Sequence, residues 1–221
     1  MKKLIKDNLN LYNCDCMELM GKYPDNYFDL AIVDPPYGGG GIGDKSIEGG
    51  KRFGGCFDKY KASRDGGKKI LDWDYAPDQS YFDELFRVSK NQIIWGGNYF
   101  QLPPHRCFLV WRKLTISESF SMAMCEYAWC SFNDNAKWIE LAPQDSSRFH
   151  PTQKPVKLYS WILNNYAKEG DKILDTHLGS GSIAIACHDL KFNLTGCEID
   201  EEYFSQMCER INIHTSQLQL F

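Results

Sequence analysis

Short runs of consecutive or alternating apolar residues recur along the chain, separated by stretches in which apolar side chains fall three or four positions apart. Runs of the first kind predict strands at residues 9–13, 28–33, 92–95, 107–111, 127–132, 172–174 and 193–197. Stretches of the second kind predict helices with core-facing stripes. These are Tyr81, Phe82, Leu85 and Phe86, then Leu158, Trp161 and Ile162, and last Tyr203, Phe204, Met207, Cys208 and Ile211. Strands alternating with amphipathic helices predict an α/β sheet covered by helices.

At 221 residues, 43% of them hydrophobic, the chain can bury one substantial core, so a single domain over residues 1–221 is expected. Asp7 and Asn8 interrupt the basic start before an apolar run forms, and no later segment is long and apolar enough to span a bilayer. This predicts a cytoplasmic protein with no membrane partner. The nine cysteines are an odd number scattered through predicted strands and helices, which favours reduced thiols over a disulfide framework. Cys14 and Cys16 form a C-x-C pair without a second pair at zinc spacing, and the five histidines do not cluster in sequence, so no metal site is expected.

A net charge of -4 argues weakly against binding nucleic acid. The charge is uneven, however. Between residues 51 and 69, Lys51, Arg52, Lys59, Lys61, Arg64, Lys68 and Lys69 face only Asp58 and Asp65. They lie in an insertion, residues 38–74, that has little periodicity and holds eleven of the 18 glycines.

The buried run ending at Val33 leads into Asp34-Pro35-Pro36-Tyr37-Gly38. In an open α/β sheet, ligands bind outside the carboxyl ends of the strands. The two prolines stiffen the backbone and remove amide donors, leaving the Asp34 carboxylate and nearby carbonyls as fixed acceptors. Two such acceptors can grip the hydrogens of an exocyclic amino group, whose lone pair is otherwise delocalised into the base, and Tyr37 offers a face on which a flipped base can stack. Read alone, the motif could equally be a turn that stops the strand.

A second motif begins at Asp175, where a short strand runs through Asp175-Thr176-His177-Leu178-Gly179-Ser180-Gly181-Ser182 into a helix. Strand, glycine turn and helix cradle a nucleotide by close backbone approach and unpaired amides. The next strand ends at Glu198, about 23 residues after Asp175, a spacing at which a carboxylate can take the hydroxyls of a ribose. Asp15 and Glu18 also fit a helix capping box after the first strand.

Asp-Pro-Pro-Tyr at a strand end resembles the catalytic motif of the DNA amino-methyltransferases. Residues 175–182 resemble their S-adenosylmethionine motif, D-P-F-x-G-S-G-T, with Thr176 and His177 in place of Pro and Phe. His150-Pro151-Thr152-Gln153-Lys154-Pro155 resembles the block that precedes that motif. The catalytic motif comes first, so the order resembles the permuted beta group of the family. The resemblance covers nearly the whole chain. It implies a Rossmann-like methyltransferase fold, with a seven-stranded, mostly parallel sheet, helices on both faces and one reversed strand.

The resemblance further implies that Asp34, Pro35, Pro36 and Tyr37 hold the target base. S-adenosylmethionine would be held by Asp15, Cys16, Asp34, His150, Thr152, Gln153, Lys154, Asp175, His177, Gly179, Ser180, Gly181, Ser182 and Glu198, with His177 assigned no proton transfer. The implied reaction is direct methyl transfer to adenine N6 in double-stranded DNA, without a covalent enzyme intermediate. Asp at the head of the motif favours adenine, since cytosine-N4 members more often carry Ser there. Cytosine N4, and a DNA- or cofactor-binding protein without activity, stay open. So do a homodimer and a restriction endonuclease counterpart. The basic insertion is the candidate DNA-contacting loop.

Overall fold

The computed structural model describes residues 2–38, 75–119, 123–143 and 148–216. Nine strands form one sheet: β1 (Lys3–Lys6), β2 (Leu9–Tyr12), β3 (Leu30–Val33), β4 (Gln92–Trp95), β5 (Phe108–Lys113), β6 (Cys125–Cys130), β7 (Lys137–Leu141), β8 (Lys172–Asp175) and β9 (Asn193–Cys197). Their spatial order is β1-β2-β9-β8-β3-β4-β6-β5-β7. The five strands from β2 to β4 run parallel. Strand β6 is antiparallel to both β4 and β5, and β7 returns parallel to β5.

All seven expected strands are present, with β6 the expected reversed one, but the sheet has two more. Strand β1 pairs antiparallel with β2, and β7 closes the opposite edge. Both are edge strands with exposed or half-buried side chains throughout, including Trp138 at 63% exposure. Neither therefore carries the buried apolar run by which the inner strands are read.

Among the described residues five helices cover the sheet: α1 (Cys16–Met20), α2 (Gln79–Val88), α3 (Val156–Tyr166), α4 (Ser182–Leu190) and α5 (Glu201–Ser216). Strand β3 shows why both faces must be covered. Leu30 and Ile32 join the core with Leu158, Ile162, Ile183, Phe204 and Met207 of α3, α4 and α5. The alternate residues, Ala31 and Val33, join Leu19, Met20, Tyr81, Phe82 and Leu85 of α1 and α2. Successive side chains point to opposite faces, so a strand buried on both reads as an unbroken apolar run. The predicted stripes are largely the observed core, except that Phe86, Trp161, Tyr203 and Cys208 are only half-buried.

The strand order brings distant motifs together. Strands β2, β9, β8, β3 and β4 lie side by side with their carboxyl ends on one edge, so Asp15, Glu198, Asp175, Asp34 and Gly96 emerge there in register. Because β6 runs the other way, its beginning, with Glu126, reaches the same edge. The insertion, apart from Gly38, lies outside the described residues, and so does its expected contact with DNA. Among the described residues no helix is long and apolar enough to cross a membrane.

Candidate active site

Asp34 leaves β3 with both carboxylate oxygens engaged. The Tyr37 hydroxyl donates to Oδ1 at 2.7 Å, and the Lys154 ammonium donates to Oδ2. Tyr37 stacks on Tyr99 with ring centroids 4.8 Å apart and planes 17° from parallel. Burial, reinforced by the neighbouring Asp34 charge, pushes the Tyr37 phenol well above 10, so it remains a donor. Gly96 underlies the ring at φ 66°, in the left-handed region. Pro35 is buried and Pro36 half-buried, which fixes the backbone that carries this pair.

Lys154 extends the site across the sheet. Its ammonium lies 3.2 Å from Glu126 Oε2, and Glu126 Oε1 lies 2.6 Å from Lys113 Nζ. It also sits 5.2 Å from the centre of the Trp95 ring. Burial works to neutralise Lys154, but the Asp34 and Glu126 carboxylates outweigh it and raise its pKa. Burial likewise works to protonate Glu126, and the ammonium groups of Lys154 and Lys113 outweigh it. Two half-buried acids and two buried lysines thus form a neutral chain, the arrangement that makes charge burial tolerable.

The glycine turn occupies the next two strand ends. Gly179 and Gly181 adopt φ 50° and 73°, and Gly181 begins α4. Glu198, buried at the end of β9, accepts the Gly179 amide on Oε2 at 2.8 Å and the Asp200 amide on Oε1 at 2.9 Å. Burial outweighs these bonds and raises its pKa. Asp175 accepts the His177 amide on Oδ1 at 2.9 Å. Burial pushes Asp175 up to about 8, against the opposing His177 bond, and the charges of Asp34 and Glu198 add to the rise. Ser180 and Ser182 share a 3.2 Å hydroxyl contact, and Arg210 donates to the Ser180 carbonyl at 2.9 Å.

The replacements at 176 and 177 have a physical account. Thr176 Oγ1 bonds both the Tyr81 hydroxyl (2.7 Å) and His177 Nδ1 (2.9 Å), and His177 meets the Tyr81 ring edge-on at 5.5 Å. Burial lowers His177 to about 4, so it packs as a neutral imidazole with a hydrogen-bonding role as well. His150, lowered to about 3 by burial and the nearby Arg148 and Lys154 charges, packs edge-on against Tyr203 at 4.4 Å. A Cβ on Gly179 would lie 3.3 Å from its ring. Thr152 Oγ1 is 3.2 Å from His150 Nδ1, and the buried Gln153 accepts the Phe149 amide at 3.4 Å.

Asp15 caps α1, accepting the amides of Met17 at 2.8 Å and Glu18 at 3.3 Å. The capping box is only half made, because the Glu18 carboxylate turns to Lys22 at 2.8 Å. Cys16 is half-buried, and burial followed by the Asp15 charge raises its thiol to about 11. Asp34, Tyr37, Lys154, Asp175, Gly179 and Glu198 therefore share one edge, while Asp15 marks its exposed end.

Sequence reasoning missed Glu126, Lys113 and Tyr99, and did not foresee Lys154 on Asp34. An acid near the start of one apolar strand and a base at the end of another were the available signals. The histidines, scattered in sequence, do meet in part. His214 Nε2 and His188 Nδ1 approach Asp189 Oδ1 at 2.8 and 3.2 Å, at the end of α4 away from the glycine turn.

A family model described as DNA methylase matches residues 110–209. The type II methyltransferase M.HpaI of Haemophilus parainfluenzae is 38% identical over 63 residues, which are 28% of this chain and only 20% of that protein. YubD of Escherichia coli (strain K12), which carries a methylase name, is 24% identical over 86% of this chain and 84% of its own length. Among solved structures, the M1.HpyAVI–SAM complex superposes with a TM-score of 0.58 at 20% identity, over 92% of this chain and 99% of that one. The PvuII DNA methyltransferase (cytosine-N4-specific) gives 0.59 at 14% identity, over 97% and 88%. The fold is thus that of the Rossmann-like methyltransferases, and over residues 110–209 the chain is similar to the DNA methylase family.

Proposed function

We propose that this chain transfers a methyl group from S-adenosylmethionine to the exocyclic amino nitrogen of a flipped base in double-stranded DNA, at adenine N6 rather than cytosine N4. The observation that carries the reading is the side-by-side emergence of Asp34 with Tyr37 from β3 and of Asp175 and Glu198 from β8 and β9. The match of residues 110–209 to a DNA methylase family model and the resemblance of both motifs support it. Asp rather than Ser at position 34 supports adenine.

The residues fit the cofactor. The turn at Gly179 and Gly181 leaves no room for larger side chains, and two buried carboxylates border it. Asp175, Glu198 and residues 179–182 would hold the nucleoside part, with Asp15 and Cys16 at the adenine end and His150, Thr152, Gln153 and Lys154 toward the amino-acid end. When bound, S-adenosylmethionine supplies an electrophilic methyl on a sulfonium centre.

The chain's own residues prepare the acceptor. Asp34 and the Pro35 carbonyl take the two amino hydrogens, which draws the nitrogen lone pair out of the ring and stabilises the positive charge that develops there. The Tyr37–Tyr99 stack supplies an aromatic face for the extruded base. The methylated nitrogen is acidic enough to lose its proton without a dedicated strong base.

The test is incubation of the purified chain with radiolabelled S-adenosylmethionine and unmethylated genomic DNA, followed by nucleoside chromatography. Label in N6-methyldeoxyadenosine is expected. Label in N4-methyldeoxycytidine would correct the base, and no transfer to DNA would overturn the proposal.

A further inference from the structure

Tyr37 and Lys154 each hold one oxygen of Asp34, so an incoming amino group must share the carboxylate with them, and the Lys154 ammonium neutralises the charge that would grip it. The charged one of the two, Lys154, competes more strongly, and the structure gives it a second place to go. Its ammonium already lies 3.2 Å from Glu126 Oε2, a buried atom that receives no well-aligned hydrogen bond among the described residues. Lys113 holds the other oxygen of Glu126 at 2.6 Å and so fixes the carboxylate in place. Tyr37 is held in place by its stack on Tyr99 and its close approach to Gly96.

Resting on the methyl-transfer reading above, we infer that Glu126 is a positioning residue, an alternative seat for the Lys154 ammonium that frees Asp34 Oδ2 when a target base enters. Strand β6 thereby becomes part of the active site, although it carries none of the family motifs. The exchange moves no proton and breaks no covalent bond. Lys154 shifts from one carboxylate toward another across the face of Trp95, and the chain of two acids and two lysines remains neutral. Without the Glu126 charge, Lys154 would have Asp34 as its one anionic partner among the described residues, and the incoming base would compete against an undivided ion pair.

The decisive variants are Glu126→Gln, which keeps the shape, and Lys154→Met, alone and together. In the transfer assay, Glu126→Gln should lower kcat by about tenfold or more while the dissociation constant for S-adenosylmethionine, from calorimetry, stays within about twofold. In the Lys154→Met background the same change should have little further effect, because the group it acts through is gone. Independent, multiplicative losses in the double variant, or equal losses of kcat and cofactor affinity, would overturn the assignment. A readout without DNA keeps the inference testable if the wild type transfers nothing. In ¹⁵N-lysine spectra of the intact protein, Glu126→Gln should shift both the Lys154 and Lys113 ammonium signals, whereas an unmoved Lys154 signal would show that the two do not share a charge.

Discussion

A Cβ placed on Gly96 would lie 2.2 Å from Cε1 of Tyr37. The glycine after β4 is therefore what lets the tyrosine of the β3 motif lie flat against Tyr99. Gly96→Ala adds left-handed backbone strain to this clash, and we expect a stability loss of about 1 to 3 kcal/mol. Transfer should fall much further than cofactor affinity. Denaturant unfolding and calorimetry on the same preparation check the two parts. Normal activity would mean that the ring need not hold its position.

Asp34→Ala should abolish transfer while leaving S-adenosylmethionine affinity within a few-fold, because Asp175 and Glu198 border the glycine turn and Asp34 faces Tyr37 and Lys154. Lys154 keeps Glu126 as a partner, so the variant should fold. Equal loss of activity and affinity would place Asp34 on the cofactor instead.

Glu198 has two tasks in the structure, holding the Gly179 and Asp200 amides and offering its remaining acceptor positions to a ligand. Glu198→Ala should weaken cofactor binding by roughly 1 to 3 kcal/mol and also lower the melting temperature, since a buried amide loses its acceptor. Glu198→Gln, which can still accept, should recover more of the melting temperature than of the affinity. Unchanged affinity in calorimetry would remove Glu198 from the cofactor site.

Burial pushes the Asp175 carboxyl up to about 8 in the folded chain, against an ordinary 3.8. Between those values the folded state binds more protons than the unfolded one, so this group's contribution is intact below about pH 4 and is lost as pH rises through 8. Asp175→Asn removes that loss. Its melting temperature relative to wild type should rise steadily from pH 5 to pH 8.5. His150 and His177, lowered to about 3 and 4, act in the opposite sense below about 6.5, and Cys14, lowered to about 7, acts above it, but both proteins carry these groups, so they cancel in the difference. A constant difference across the series would show that Asp175 is ionised throughout.

The basic run from Lys51 to Lys69 lies outside the described residues, yet its excess of positive charge on an acidic chain carries its own expectation. If Lys59, Lys61, Lys68 and Lys69 meet phosphates, changing all four to Ala should reduce the salt slope of DNA affinity by about one unit for each contact, almost independently of DNA sequence. Fluorescence anisotropy over a salt series measures this. An unchanged slope would turn attention to residues 131–149.

The sequence by itself determined the α/β class, the seven inner strands and both motifs, because strands buried on two faces and glycines that adopt left-handed backbone leave local, readable marks. It did not reveal β1 or β7, whose single row of neighbours demands no apolar run. Nor could it show that Lys154 grips Asp34 across 120 positions, or that Glu126 divides that grip with Lys113. Those contacts exist because β3 lies beside β4, β4 beside β6, and β6 runs backwards, which carries the start of one strand to the ends of its neighbours. Ion pairs between such distant residues have no period and no local signature. Only the order and direction of strands decided which charges would meet, and burial decided that once together they had to balance.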